Sequence, residues 1–220
     1  MWSYYGRKSK LIKHYPKPVH DIIVEPFAGT AVYSLHEDNW KKEVVLIEKY
    51  SVIVSIWRYL QTSSKKDILS LPDMKYGDSV DDHTYLSEEE KWLIGFCINR
   101  GSASPKKTAA KFNSWDSNKV SIASNIHKIK HWDIREGSYE DVENFKATWF
   151  IDPPYQLQGK YYKHNGDDID FTRMSEFCRD REGQTIVCEN EGADWLDFEP
   201  LKEFSGQKKR NMEVVWYQNK

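Results

Sequence analysis

The sequence predicts an α/β fold with a doubly wound, mostly parallel β-sheet and a small, mainly helical lobe inserted into it. Three observations favour this architecture. Short apolar segments alternate with helical segments near both ends of the chain, which is typical of βαβ units. An early apolar strand runs directly into a glycine-containing turn. The section between residues 61 and 135 is polar and lacks the alternation.

The first part of the chain contains two predicted strands, each followed by a predicted helix. Apolar runs end at Val24 and Ile47, and breaker residues separate them. The predicted elements are a strand at 22–24, a turn at 25–29, a helix at 30–38, a strand at 44–47 and a helix at 51–60.

The same rhythm resumes after residue 135. We predict a strand at 148–151, a helix at 171–181, a strand at 185–188 and a final strand at 213–217. The sequence therefore divides into a main domain, residues 1–60 and 136–220, and an inserted lobe, residues 61–135.

The composition is that of one globular domain of 220 residues. Aromatic residues make up 14% of the chain, which argues against intrinsic disorder. No apolar run reaches the roughly 18 residues of a membrane span and no signal segment is present, so we expect no membrane partner. Cys97, Cys178 and Cys188 show no C-x-x-C spacing, so we expect reduced thiols, no metal site and a cytoplasmic protein.

Charged residues are segregated along the chain, although the formal net charge is only −2. Residues 1–20 and 99–131 are basic, whereas residues 77–90 carry acids and neither Lys nor Arg. A basic surface can bind a polyanion at near-zero net charge because the local field decides the attraction. Ordinary solvated surface is the alternative interpretation.

The first candidate site is the turn after the first strand, with Gly29 at its centre. A small residue there lets ligand atoms approach the backbone, and the N–H groups that follow point toward the ligand. Glu48 closes the next strand 19 residues later, about the distance at which a carboxylate meets ribose hydroxyls in doubly wound folds. The pattern indicates a nucleotide-like cofactor, and a tight turn without a ligand is the alternative.

The second candidate site is Asp152-Pro153-Pro154-Tyr155, directly after an apolar strand. Two prolines fix φ and remove two backbone donors, which leaves a rigid segment with outward-facing carbonyls. The Asp152 carboxylate can accept hydrogen bonds from an amino group, and the Tyr155 ring can stack on a flat base. These are the requirements of a nucleobase that carries an exocyclic amine. A proline-rich turn that merely ends the strand is the alternative.

The two sites together resemble a known family. Phe27-Ala28-Gly29 followed by Asp152-Pro153-Pro154-Tyr155 is similar to the S-adenosylmethionine-dependent DNA amino-methyltransferases. The N-terminal residues 4–11 narrow the resemblance to the Dam-type adenine-N6 methylases, and especially to small phage or prophage members. The resemblance covers essentially the whole chain. Arg7 and Ala31 stand where this family usually has glycines, and Ser138 stands where it usually has an acid.

The resemblance implies a class I methyltransferase fold, S-adenosyl-L-methionine as cofactor and double-stranded DNA as partner, with no metal and no particular oligomer. It implies that Asp152, Pro153, Pro154 and Tyr155 act on a flipped-out adenine. The cofactor residues it implies are Tyr4, Tyr5, Gly6, Lys8, Glu25, Phe27, Ala28, Gly29, Thr30, Glu48, Ser138, Tyr139 and Asp152. In that reading the inserted lobe is the target-recognition lobe.

Two basic clusters are the candidate DNA contacts, because Lys and Arg reach phosphates. They comprise Arg100, Lys106, Lys107 and Lys111 in the inserted lobe and Lys208, Lys209 and Arg210 before the last strand. A solvated loop is the alternative for the first cluster. For the whole chain, a ribosomal-RNA methyltransferase and a catalytically silent DNA-binding relative remain alternative functions.

Overall fold

The fold is an α/β fold built around one mixed, mostly parallel sheet. A computed structural model describes residues 2, 4, 8–99, 101–157, 163–205 and 210–220. The strands are β1 (Ile22–Glu25), β2 (Glu43–Glu48), β3 (Asp133–Glu136), β4 (Ala147–Ile151), β5 (Gly183–Asn190), β6 (Glu199–Ser205) and β7 (Arg210–Asn219). The α-helices are α1 (Ser51–Thr62), α2 (Lys65–Ser70), α3 (Glu88–Cys97), α4 (Trp115–Asn125) and α5 (Phe171–Asp180).

The seven strands lie in the order β3-β2-β1-β4-β5-β7-β6. β3, β2, β1, β4 and β5 pair in parallel. β7 lies antiparallel between β5 and β6. The predicted α/β class and mostly parallel sheet are therefore confirmed.

Two hydrophobic cores cover the two faces of the sheet. Along β1, Ile23 belongs to one core and Val24 to the other, as expected when successive side chains of a strand point to opposite faces. The first core includes buried residues of α1, α3 and α4, and the second includes Met174 and Cys178 of α5. Helices therefore pack on both faces of the sheet, as in a doubly wound fold.

Residues 30–38 form consecutive turns, and the helix predicted there is wrong. Ala31 and Glu37 both have positive φ, near 45°, which a right-handed helix does not allow. The Glu25 carboxylate accepts the backbone N–H of Ser34, and the Asn39 amide donates to the carbonyl of Tyr33. Side chains thus bind backbone groups that a helix would pair internally.

Residues 61–135, the middle section predicted as an inserted lobe, contribute most of strand β3 to the sheet as well as several helices. β3 crosses the predicted boundary at residue 135 and pairs with β2. Buried side chains of α3 and α4, including Phe96 and Trp115, belong to the same core as Trp57 of α1. The helices of this section therefore share a core with the sheet, and the division into two domains stays a prediction.

Within the ranges described above, no helix combines the length and apolar character needed to cross a membrane.

Candidate functional site

A cavity of about 290 Å³ lies at the carboxyl edge of the sheet, beside the ends of β1 and β4. The strand order reverses between these two strands, because β2 and β3 lie on one side of β1 and β4 and β5 lie on the other. Open α/β sheets bind ligands at such a switch point. The cavity is therefore the candidate functional site.

Most residues predicted to bind a cofactor line this cavity. They end or follow β1 and β2, follow β3 and β4, or belong to the N-terminal segment: Tyr4, Lys8, Glu25, Phe27, Ala28, Gly29, Thr30, Glu48, Ser138, Tyr139 and Asp152. Pro154 lines the cavity too, and Pro153 is buried beside it. Tyr5 and Gly6, also predicted cofactor residues, lie outside the described residues, as does Arg7.

The turn after β1 is fixed by hydrogen bonds to neighbouring elements. Gly29 has φ +45°, a left-handed conformation that favours glycine. Its N–H donates to the Glu48 carboxylate at 3.0 Å, and its carbonyl accepts from the Trp57 indole at 2.9 Å. The turn is thereby held against the end of β2 and against α1.

Two acids at this edge are bound by backbone N–H groups. Glu48 accepts from Gly29 with one oxygen and from Tyr50, at 2.9 Å, with the other. Glu25 accepts from Ser34 at 2.8 Å and is 3% exposed. Burial raises the pKa of Glu48, and it raises the pKa of Glu25 to about 8. Each carboxylate still has lone pairs that can accept a further hydrogen bond.

An aromatic pair forms another wall of the cavity. The rings of Phe27 and Tyr139 are stacked, with centroids 5.5 Å apart. Ser138, beside Tyr139, uses its hydroxyl to cap the short 3₁₀ helix Tyr139–Asp141. A flat apolar ligand such as a purine could pack against this pair. The Ser138 hydroxyl is at least partly engaged in the cap.

Asp152 lies in a cluster of buried polar side chains. The Lys8 amine is 3.2 Å from Asp152 and 2.8 Å from Glu213, and it also contacts the Tyr155 hydroxyl. The Tyr155 hydroxyl donates to Glu213 at 2.6 Å, and the Tyr15 hydroxyl donates to the same oxygen. Three donors therefore converge on one Glu213 oxygen.

The charged groups of this cluster shift one another's pKa values. The pKa of Asp152 is raised to about 6. Burial is the main cause; the Lys8 charge opposes it and the Glu213 charge adds to it. Burial alone lowers the pKa of Lys8, but Asp152 and Glu213 raise it, and the net direction is upward. Lys8 is therefore a buried cation held by two acids.

Sequence reasoning did not assign Glu213 or Tyr15 to the site. Glu213 was predicted only as the first residue of the last strand, and its side chain is 1% exposed. The available signal was an acid directly before the apolar run Val214-Val215-Trp216. An acid that such a strand buries needs a partner, because acids are almost never fully buried unless they are paired.

A further wall of the cavity comes from residues 163–173 and from the end of β2. It includes Lys49, Tyr50, Lys163, His164 and Arg173. The His164 and Tyr50 rings meet edge to face, and burial lowers the pKa of His164. No motif in the sequence singled these residues out.

The predicted DNA contacts lie apart from the cavity where the structure describes them. The Lys107 amine forms an exposed ion pair with Asp81 at 2.7 Å, and the Lys106 amine contacts the Ser104 hydroxyl. The Lys111 amine lies 5.7 Å from the Phe112 ring centroid. Arg100, Lys208 and Lys209 lie outside the described residues. Arg210 begins β7, and only its backbone is described.

Across the described ranges, no group of three or more His, Cys, Asp or Glu side chains could hold a metal ion.

No family model matches the chain, and the search of curated proteins finds no significant match.

Proposed function

We propose that the chain is an S-adenosylmethionine-dependent DNA methyltransferase that acts on N6 of a flipped-out adenine in duplex DNA. The observation that carries this proposal is that the glycine turn and two residues of the second motif, Asp152 and Pro154, line one cavity although they are far apart in sequence. Its place at the switch point suits a nucleotide-like ligand, and the strand order is compatible with a class I methyltransferase.

The residues around the Gly29 turn fit the cofactor chemically. Glu48 can accept hydrogen bonds from ribose hydroxyls beyond those it accepts from the backbone. The Phe27 and Tyr139 pair offers an apolar surface for an adenine ring. When bound, S-adenosylmethionine would supply an electrophilic methyl group on a cationic sulfur.

Asp152 and its neighbours would act on the acceptor. Adenine inside a duplex cannot be reached, so the base has to be flipped out, at a cost of a few kcal/mol. The Asp152 carboxylate and the Pro153 carbonyl would accept the two N6 hydrogens and direct the nitrogen lone pair toward the methyl group. The Tyr155 ring would stack on the base.

Much of the acceleration would come from placement. Holding two reactants in line can contribute roughly 7–11 kcal/mol. The Asp152 carboxylate would add electrostatic stabilisation, because the nitrogen gains positive charge as the methyl arrives. Neither contribution requires a covalent enzyme intermediate.

The test is transfer of labelled methyl from S-adenosylmethionine to duplex DNA, to ribosomal RNA or to neither. We expect label in DNA, and mass analysis of digested DNA should identify N6-methyladenine. The variant Asp116→Ala, which changes an exposed acid of α4, serves as a control that should keep wild-type activity. Transfer to RNA alone would replace the proposal with an RNA methyltransferase. No transfer to either would favour a silent DNA-binding relative.

A further inference from the structure

Glu213 is a buried acid of β7 that binds three side chains from two other parts of the chain. Its carboxylate accepts from Lys8 and Tyr15 of the N-terminal segment and from Tyr155 after β4. In the sheet, Glu213 lies opposite Asn190 of β5 and Lys202 of β6. The carboxylate thus connects β7 to the N-terminal segment and to the segment after β4.

Lys8 occupies the space that the proposed function assigns to the target amino group. Its amine is 3.2 Å from the Asp152 carboxylate and lies 4.3 Å from the Tyr155 ring centroid. An adenine with its N6 against Asp152 would need the same contact with this carboxylate. Lys8 therefore competes with the target amino group for the Asp152 carboxylate.

Leaving Asp152 would strand a buried cation unless another acid held it. Lys8 is 8% exposed, and a buried charge without a partner is strongly destabilising. Glu213 already lies 2.8 Å from the Lys8 amine, so a small movement away from Asp152 keeps the cation paired. Glu213 also fixes the Tyr155 hydroxyl, and thereby the ring on which the base would stack.

We propose that Glu213 is a positioning residue that holds Lys8 and Tyr155, so that Asp152 is released to bind the target amino group. The inference rests on the proposed methyl transfer. The groups that face Asp152 and Glu213 are Lys8 and Tyr15 from the N-terminal segment, Glu25 of β1, Tyr155 after β4, and Cys188 and Glu189 of β5.

The central experiment replaces Glu213 by Gln, which keeps the shape and removes the charge. Lys8 then has Asp152 as its remaining carboxylate partner in the cluster and competes with the target base. We expect kcat to fall at least about tenfold, while the Kd for S-adenosylmethionine changes less than about threefold. Glu213→Asp keeps the charge and should retain more activity than Glu213→Gln.

The pH profile distinguishes this role from a merely structural one. The charge of Glu213 raises the pKa of Asp152, so its removal should move the acid limb of the kcat/KM profile to lower pH. A general loosening of the site would lower the plateau and leave the acid limb in place. That result would overturn the inference.

The dependence on Lys8 is tested in a double variant. In a Lys8→Met background the competition with Asp152 is gone and only the hold on Tyr155 remains to be lost, so adding Glu213→Gln should lower kcat by a clearly smaller factor than it does in the wild-type background. Because both buried charges are then absent, this variant also remains informative if Glu213→Gln alone unfolds. An equal loss of kcat in both backgrounds would overturn the inference.

Wild-type activity separates the two proposals. If wild type methylates DNA and Glu213→Gln matches it in kcat, the inference about Glu213 fails and the proposed function stands. If wild type transfers methyl to no acceptor, both fail together. Glu199→Gln, an exposed acid of the neighbouring strand β6, is the matched control and should behave as wild type.

Discussion

The Lys8 amine and the Asp152 carboxylate form an ion pair, 3.2 Å apart, between the N-terminal segment and the end of β4. Glu213 shares the same amine from β7. Three distant parts of the chain therefore meet at one edge of the sheet. The arrangement leaves Asp152 with a pKa of about 6, so the carboxyl is mostly ionised at neutral pH.

The backbone at Gly29 should be needed for cofactor binding. Gly29→Asp adds a bulky, negatively charged side chain to the turn that lines the cavity, so we expect calorimetry to detect no binding of S-adenosylmethionine. Gly29→Ala is milder, since its Cβ would meet the Tyr4 ring at an ordinary 3.5 Å; the positive φ should cost roughly 1 kcal/mol of stability.

Gly77→Ala is the matched control for Gly29. Gly77 also has positive φ, and an added Cβ would meet nothing within 4 Å. This variant should lose a similar amount of stability and bind S-adenosylmethionine as wild type does. Unchanged affinity in Gly29→Asp would remove the turn from the cofactor site.

Glu25 should make stability depend on pH. Its pKa is about 8 in the folded state against 4.5 as the ordinary value, so the folded state binds the proton more tightly. Stability should therefore fall as pH rises from about 4.5 to about 8, at up to roughly 1.4 kcal/mol per unit of pKa shift.

Glu25→Gln removes that titration while keeping an acceptor for the Ser34 N–H. The variant should exceed wild type in free energy of unfolding above pH 8, and the difference should vanish below pH 4.5. Urea unfolding at several pH values without ligand measures both. A constant difference across this range would contradict the assignment.

The basic residues of the middle section should contact phosphates if DNA is the partner. Lys106→Gln should weaken binding to all sequences alike and lower the log–log salt slope by about one unit. Lys107→Gln should have a smaller effect, because Asp81 already pairs with Lys107. Asp81→Asn frees Lys107 and should strengthen binding. Slopes that do not change in any variant would assign this surface to solvent.

The sequence predicted the interior of the sheet better than its edges. β1, β2, β4 and β5 were visible as apolar runs because both of their faces are covered. β3 and β6 were not predicted, since these edge strands carry charged residues and β6 also contains Pro200. Periodicity does not reveal strands of this kind.

The site was predictable where it depends on local sequence. The Gly29 turn and the Asp152 motif each follow a strand, and parallel strands bring their carboxyl ends together. Glu213 was not predictable in this way, because its approach to Lys8 depends on β7 lying antiparallel to β5. Only the pairing of distant strands decides which buried acid meets the Lys8 amine.

The last prediction concerns Asp152, where the proposed chemistry is concentrated. As acceptor for the amino group, Asp152 should act more in the transition state than in the ground state, because the nitrogen becomes positive as the methyl arrives. Asp152→Ala should lower kcat at least about a hundredfold, on the scale of one preorganised electrostatic partner, with DNA binding nearly intact. Lys8 keeps Glu213 as its counter-ion in this variant, so the fold should persist.

Asp152→Asn separates charge from shape. It keeps one acceptor oxygen and should therefore retain more activity than Asp152→Ala and far less than wild type. In wild type, kcat/KM should rise with pH around 6, because the ionised carboxylate is the acceptor. Asn does not titrate, so the acid limb that belongs to Asp152 should disappear from the profile of Asp152→Asn. Full activity in Asp152→Ala, or N4-methylcytosine as the product, would refute the role assigned to this carboxylate.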